Sequence, residues 1–256
     1  MRFLGIETIA LLVLSSAALG EGRVIITEIM YNPASDERLG QTEWVELANI
    51  GREVIQIKDW KLDDEDPAGW GAFSITLKPG GVVVLVNEAA VDEEQFRKAW
   101  DERSGAEGES EAEAEEEPEE ESAYQIVPVK WASLANSPSA ENEILRLLDG
   151  RGNIICEVNF QEGGDWPVCG RPDGASIWLT DLAATDLNDG KVWKRSVKGE
   201  HGARACRPTK VFDAEDVGSP GFVSGLGEAV AQPAAPPTED EGEESQTKKD
   251  DDRIDY

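Results

Sequence analysis

Short apolar runs, broken by Gly, Pro, Asn and Asp, follow one another along the chain from Arg23 onward. In EWVELANI, for example, Val45 and Leu47 share one face and Glu46 lies on the other. This period of two is the spacing of β-strands. The predicted strands are VIITEIM (24–30), EWVELANI (43–50), EVIQI (53–57), WKL (60–62), AFSITL (72–77), VVVLVN (82–87), EILRLLD (143–149), IICEVNF (154–160) and ASIWLT (175–180).

One segment has a helical pattern instead. In EEQFRKAWDE, residues 93–102, the apolar side chains of Phe96, Ala99 and Trp100 fall on one face of a helix. Many short strands with no regular alternation of strands and helices favour an antiparallel sandwich. The predicted fold class is therefore all-β, an antiparallel β-sandwich with one short helix.

The net charge of −29 is concentrated in two segments. Residues 105–123 hold ten acids and no base, and residues 228–256 hold ten acids and three bases. Both are poor in large apolar residues and cannot bury enough surface to offset chain entropy. The sequence thus predicts a disordered acidic insertion at 101–123 and a disordered acidic tail at 228–256. One domain, residues 21–227, remains.

The first 20 residues have the pattern of a secretory signal peptide. A basic start at Arg2 leads into an apolar stretch and then into the small residues SSAALG. The apolar run is shorter than the roughly 20 residues that a membrane span needs. We therefore expect a secreted, periplasmic or cell-surface protein without a stable membrane span.

Six segments, taken in order, resemble the lamin tail domain family. They are VIITEIMYNP, EWVELANIGREVIQIKDWKLDD, LKPGGVVVLVN, ILRLLDGRGNIICEVNF, DGASIWL and GSPG, and they cover roughly residues 23–222. The resemblance implies an immunoglobulin-like sandwich, and with the signal peptide it implies the secreted bacterial branch of the family. The family often has Gly before the tryptophan corresponding to Trp60, whereas this chain has Asp59.

An acidic run follows the strand that contains Trp60. Asp63, Asp64 and Asp66 offer hard oxygen ligands and form a candidate Ca²⁺ site. The run lacks the ligand spacing of a known calcium loop, so a solvated, turn-forming cluster is the alternative. TDLNDG, residues 185–190, leaves the same two possibilities open. No other cofactor is expected.

Two further features are candidates for partner binding. Trp70 stands between Gly69 and Gly71 and is either an exposed anchor or a residue that folds back over the core. Between residues 191 and 210 the charge reverses to a local +6, from Lys191, Lys194, Arg195, Lys198, Arg204, Arg207 and Lys210 against Glu200. This patch is a candidate partner site centred on Lys194, Arg195 and Lys198, a docking surface for the acidic insertion or tail, or an ordinary solvated face.

Three cysteines leave an odd number for an exported chain. Cys156 alternates with polar neighbours and is expected to face the core. Cys169 and Cys206 lie in turn-like sequence and are predicted to form a disulfide. Zinc is not expected, since no CxxC motif occurs and His201 is the only histidine.

Catalytic motifs are absent from the sequence: neither GxSxG nor HExxH occurs. Nucleic acid is not an expected partner, because the acidic chain repels phosphate. The sequence therefore predicts a secreted, non-catalytic interaction module that binds a protein or a cell-envelope component. A calcium-dependent glycan-binding adhesion module is the alternative, and a hydrolase is the third possibility.

Overall fold

The structure is a computed structural model that describes residues 23–35, 42–64, 69–101, 124–139, 143–169 and 173–231. The predicted signal peptide, the acidic insertion beyond Asp101 and the acidic tail beyond Ala231 lie outside these residues. The cleavage expected for the signal peptide and the disorder expected for these acidic residues therefore stay predictions.

The described residues contain twelve strands and two α-helices. In chain order they are β1 Val24–Met30, β2 Trp44–Asn49, β3 Ile55–Asp63, β4 Phe73–Leu77, β5 Val82–Asn87, α1 Glu93–Trp100, β6 Gln125–Val129, β7 Leu145–Leu148, β8 Ile154–Val158, β9 Ile177–Leu179, β10 Trp193–Arg195, β11 Arg204–Ala205, β12 Val217–Gly218 and α2 Leu226–Ala231. A short 3₁₀-helix, Gly190–Val192, precedes β10.

The strands form two main sheets. A six-stranded sheet has the order β10-β9-β1-β2-β5-β6, and a four-stranded sheet has the order β4-β3-β7-β8. Strands β11 and β12 form a separate two-stranded ribbon. The predicted all-β, immunoglobulin-like sandwich is confirmed. Three details differ. Strands β6, β10, β11 and β12 were not predicted, and the segments predicted as strands at 53–57 and 60–62 are joined in β3. Strands β5 and β6 run parallel, whereas every other pair of these strands is antiparallel.

Both faces of the central strands β1, β2 and β5 of the six-stranded sheet are buried. Val45 and Leu47 of β2 face the four-stranded sheet, where the Cys156 thiol of β8 accepts a hydrogen bond from the Ile26 amide at 3.5 Å. Trp44 points to the opposite face and packs edge-on against Trp100 of α1, with ring centroids 5.7 Å apart. The outer face of this sheet therefore carries an aromatic second layer.

Helix α1 forms where the sequence predicted a helix. The Asp92 carboxylate accepts from the Gln95 amide at 2.8 Å, and the Gln95 side chain accepts from the Asp92 amide at 3.0 Å, which is a capping box. Phe96, Ala99 and Trp100 are all buried, as the pattern predicted. The helix thus starts at a defined cap and carries its apolar face onto the sheet.

A second helix was not predicted. Helix α2 includes Glu228 to Ala231, so the first four residues assigned to the disordered tail are helical. Arg52 holds this helix, because its Nε donates to the Val230 carbonyl at 3.2 Å. The sequence signal was weak, since Gly227 interrupts a six-residue segment.

No helix within the described residues is long and apolar enough to cross a membrane.

Candidate functional site: a buried carboxylate pair beside a basic groove

Two glutamates face each other across the central strands. Glu28 of β1 and Glu46 of β2 are direct cross-strand partners, and each side chain is 1% exposed. Both project from the outer face of the six-stranded sheet, since Glu46 lies two residues from Trp44. Like charges at opposed positions destabilise a sheet unless something compensates them.

The compensation for Glu28 comes from residues distant in sequence. Its Oε1 accepts from the Ser219 amide at 2.8 Å and from the Ser176 hydroxyl, and its Oε2 accepts from the Ser219 hydroxyl at 2.6 Å. The Ser196 hydroxyl lies 2.7 Å from that of Ser176 and continues the network. Glu28 therefore sits in a polar pocket built from three separate loops.

Glu46 has fewer partners. Its Oε1 is 2.7 Å from the Thr27 hydroxyl, and its Oε2 accepts from the Gly221 amide at 2.7 Å. The guanidinium of Arg204 contributes an attractive charge. That guanidinium is itself held by the Trp100 carbonyl and by the Pro220 carbonyl, the latter at 2.9 Å.

Burial governs the protonation of both carboxyls. Desolvation raises the pKa of Glu28, although the hydrogen bonds from Ser176, Ser219 and Ser196 oppose it. Desolvation, followed by repulsion from Glu28, raises the pKa of Glu46 well above its ordinary value, against the opposing effects of Thr27, Gly221 and Arg204. The pair thus favours binding of a proton over two full charges.

Residues 217–221, which we call the C-terminal strap, cover the pair. They include β12 and supply the amides of Ser219 and Gly221 to the two carboxyls. Gly218 fits only because it has no side chain, since a Cβ there would lie 2.8 Å from Trp44 Cζ2 and 3.1 Å from Glu28 Oε1. The GSPG segment therefore packs its backbone directly on the sheet.

A groove of about 650 Å³ lies beside the strap. Its lining includes Trp100 and Cys206 together with the charged residues Lys198, Arg204, Arg207 and Glu215. Three cations thus face one carboxylate in a chain whose net charge is −29. Lys198 and Glu215 form an ion pair at 2.6 Å between side chains that are each more than 60% exposed. We call this feature the basic groove.

The structure separates the predicted partner-binding residues. Lys198 lines the basic groove, whereas Lys194 and Arg195 lie on the edge strand β10 and are not part of its lining. Lys194 is exposed, and Arg195 Nη1 donates to the Val168 carbonyl at 3.4 Å. Lys191 pairs with Asp165 at 3.3 Å. Of the three predicted residues only Lys198 therefore lines the groove, and docking of an acidic segment on the basic patch stays a prediction.

The interpretation of Trp70 as an exposed anchor is wrong. Trp70 is only 6% exposed and packs against Trp131, with ring centroids 4.3 Å apart. The alternative, that it folds back over the core, is confirmed. The flanking glycines suit this arrangement, because a Cβ on Gly71 would lie 2.8 Å from the Lys130 amide nitrogen.

The predicted disulfide between Cys169 and Cys206 is absent, and both are free, buried thiols, as is Cys156. Each is held at its own place: the Cys169 thiol donates to the Ser176 carbonyl at 3.7 Å, and the Cys206 thiol donates to the Ala214 carbonyl at 3.1 Å. Burial raises the pKa of Cys169 to about 11 and that of Cys206 to about 12. These thiols stay protonated at neutral pH. Cys156 faces the core, as predicted.

The candidate calcium ligands fall partly outside the described residues. Asp63 ends β3 and Asp64 follows it, whereas Asp66 is not described. Within the described ranges, no three His, Cys, Asp or Glu side chains are grouped as a metal site would need. In the second acidic loop, Asp186 accepts from the Asn188 amide at 2.9 Å, which is turn chemistry.

The sequence patterns did not single out the buried pair. The alternation in EWVELANI places Glu46 on the polar face of β2, and nothing in the local pattern distinguishes a solvated glutamate from a buried one. One signal points to them: each glutamate lies within a run of mostly apolar residues, in VIITEIM and WVEL. An acid inside such a run is rarely buried without partners.

Comparison with protein-family models gives a match to the Lamin Tail Domain over residues 17–162 of the 256. The match ends after β8, whereas the sandwich continues, because β9 pairs with β1. No curated protein matches the chain.

Proposed function

The chain belongs to the lamin tail domain family, and we propose that it is a secreted, non-catalytic module that binds an acidic segment of a protein or cell-envelope partner in the basic groove. Lamin tail domains are immunoglobulin-like interaction or structural modules, which supports this class of function. The single observation that carries the proposal is the cluster of Lys198, Arg204 and Arg207 in one groove of an otherwise acidic protein.

The contacts within the groove suit an exchange of partners. The Lys198–Glu215 pair is largely exposed. Exposed pairs of this kind stabilise a fold by only about 0–1 kcal/mol. A carboxylate of the partner can therefore replace Glu215 at low cost. Arg204 is fixed by backbone carbonyls and provides a charge that does not need to be reoriented.

The charge distribution favours a short acidic segment over a long polyanion. Charges farther away than about 8 Å are largely screened at physiological ionic strength. A segment of a few residues can stay within that distance of Lys198, Arg204 and Arg207, whereas a long polyanion also comes near other parts of a chain whose net charge is −29. The same screening predicts that binding weakens as salt is added.

A hydrolytic role receives no support from the carboxylate pair. Glu28 and Glu46 are each 1% exposed and lie under the strap, where a glycosidic substrate has no access to them. A glycosidase needs two carboxyls that flank a bound substrate. The pair is placed to hold the fold together instead.

The binding proposal can be tested with a fluorescent peptide of about ten residues rich in Glu and Asp, titrated with the full chain at physiological salt. Lys198→Glu should weaken binding by about tenfold, since it reverses a charge in the groove. Lys194→Glu is the matched control, because it makes the same charge change on an exposed residue outside the groove. Its affinity should stay within about twofold of the parent.

Equal losses in the two variants would show that the peptide responds to net charge alone, and the groove would then not be the site. No loss in Lys198→Glu would reject the groove outright. Secretion is tested separately: the exported protein should begin at Glu21 by intact-mass spectrometry, and retention of residues 1–20 would contradict cleavage there.

A further inference from the structure

The Glu28–Glu46 pair lies where two negative charges are especially costly. The two residues are directly opposed on neighbouring strands, both are buried, and the strap closes over them. Yet the strap binds to this pair through its own backbone amides. A change in the protonation of the pair therefore alters the hydrogen bonds that hold residues 217–221 against the sheet.

We propose that Glu28 and Glu46 hold one proton between them at neutral pH, with Glu28 ionised and Glu46 protonated, and that this proton locks the C-terminal strap onto the sheet. The inference does not depend on what binds in the basic groove.

The hydrogen bonds assign the charge to Glu28. It accepts from the amide and hydroxyl of Ser219 and from the Ser176 hydroxyl, which in turn can accept from Ser196. Hydrogen bonds of this kind favour the ionised form of a carboxyl. Three donors converge on one side chain, which is the arrangement expected around a buried carboxylate.

The partners of Glu46 suit a protonated carboxyl. One oxygen accepts from the Gly221 amide, which requires no negative charge. The other lies 2.7 Å from the Thr27 hydroxyl, which can accept a hydrogen bond from a protonated Glu46 as readily as it can donate one to an ionised Glu46. In that orientation the Thr27 hydroxyl can donate to the backbone carbonyl oxygen of Glu46, which lies 3.4 Å away. Every polar atom then keeps a partner.

The charged groups around the pair do not provide a second counter-charge inside the pocket. Arg204 on β11 attracts Glu46, but it also lies 3.8 Å from Asp101 at the end of α1. Lys194 is in the same cross-strand row on β10, and its side chain is exposed. The remaining members of the row, Trp178 on β9, Val84 on β5 and Ile126 on β6, are not titratable. A shared proton thus fits the balance of charges.

The proton makes closure of the strap depend on pH. Because the pKa of Glu46 is raised in the folded state, its contribution is fully present below the unfolded value near 4.5 and is lost as pH rises through the folded value. In that window, opening releases one proton, so the opening constant grows about tenfold per pH unit. The strap should hold in mild acid and loosen in base.

The test compares two isosteric variants of the full chain. Urea unfolding and amide protection of Ser219 and Gly221 are measured between about pH 5 and 8, below the titration of unperturbed cysteines. In Glu46→Gln the amide replaces the protonated carboxyl, so the tenfold-per-unit dependence seen in the parent should disappear. In Glu28→Gln the negative charge is lost and one of the two accepting oxygens is replaced by an NH2 group, which cannot accept a hydrogen bond from its serine donor. Protection of the strap should therefore fall by more than tenfold at every pH.

Two results would overturn the proposal: the parent's pH dependence persisting in Glu46→Gln, or Glu46→Gln losing more strap protection than Glu28→Gln. Should Glu28→Gln fail to fold, infrared spectroscopy of the parent and Glu46→Gln decides. The parent should show the carbonyl band of a protonated carboxylic acid at neutral pH, and this band should be missing from Glu46→Gln. A parent spectrum without it would reject the shared proton.

Discussion

The six-stranded and four-stranded sheets share one core but meet solvent differently. Every residue of β1, β2 and β5 is buried, because the outer face of the six-stranded sheet is covered by α1 and by the segment that ends in the strap. In the four-stranded sheet, β4 alternates buried and more exposed positions, and β8 leaves Ile154 and Ile155 exposed. The central strands of the six-stranded sheet are thus buried on both faces, whereas the four-stranded sheet has one face toward solvent.

This difference explains where acidic side chains come to be buried inside the protein. In a sheet with one solvent-exposed face, acidic side chains point into water and need no partner from the protein. A sheet covered on both faces must satisfy each acid from within the protein, which is how Glu28 and Glu46 come to depend on residues 176–221. Parts of the chain far from the central strands therefore determine whether those strands are stable.

The largest expected effect compares two tryptophans on different sheets. Trp44 of β2 is fully buried, whereas Trp60 of β3 is only partly buried against the core. Trp44→Ala should lower the free energy of unfolding by about 3–5 kcal/mol, through lost burial and the cavity left beside α1. Trp60→Ala should cost clearly less, since it leaves a smaller void. Urea denaturation of both variants checks the order, and equal costs would show that the two sheets are equally buried.

A smaller effect is expected from crowding under the strap. Gly218→Ala would place a methyl group 2.8 Å from the Trp44 ring, and overpacking of this kind costs about 1–3 kcal/mol. Gly227→Ala is the matched control: nothing lies within 4 Å of its Cβ position in α2, and alanine there should stabilise by up to about 1 kcal/mol. Thermal melting of both variants gives the comparison. A stabilising Gly218→Ala would contradict the close packing of the strap.

The smallest effect is expected at the bend of β3. Asp59 has φ +54°, a left-handed conformation, where the register of β3 against β4 shifts between Ile57 and Trp60. Asp59→Gly should stabilise by up to about 1 kcal/mol, because glycine adopts this conformation without strain. In the same strand, Asp63 has no such conformation, and Asp63→Gly should destabilise. Chemical denaturation of the two variants should thus show shifts of opposite sign.

Asp59 also illustrates which structural features a sequence pattern can indicate. The family often has Gly at this position, and Asp59 has a left-handed backbone of the kind that glycine adopts without strain, but the resemblance by itself did not predict the conformation of this turn. Most of the strands up to β9, the buried face of α1 and the core position of Cys156 followed from local spacing, whereas β6 and the short strands β10, β11 and β12 did not. Each of the features that followed from local spacing depends on side chains a few residues apart, so the sequence alone determined it.

The rest was decided by contacts between distant segments. Glu46 is 175 residues from Gly221, so no local pattern predicts the hydrogen bond between them. Cys169 is 37 residues from Cys206, and no local pattern indicates that the two form no disulfide. Trp70 is buried because Trp131 lies across from it. Whether a polar or aromatic side chain is covered depends on what packs over its strand, and only the tertiary structure supplies that cover.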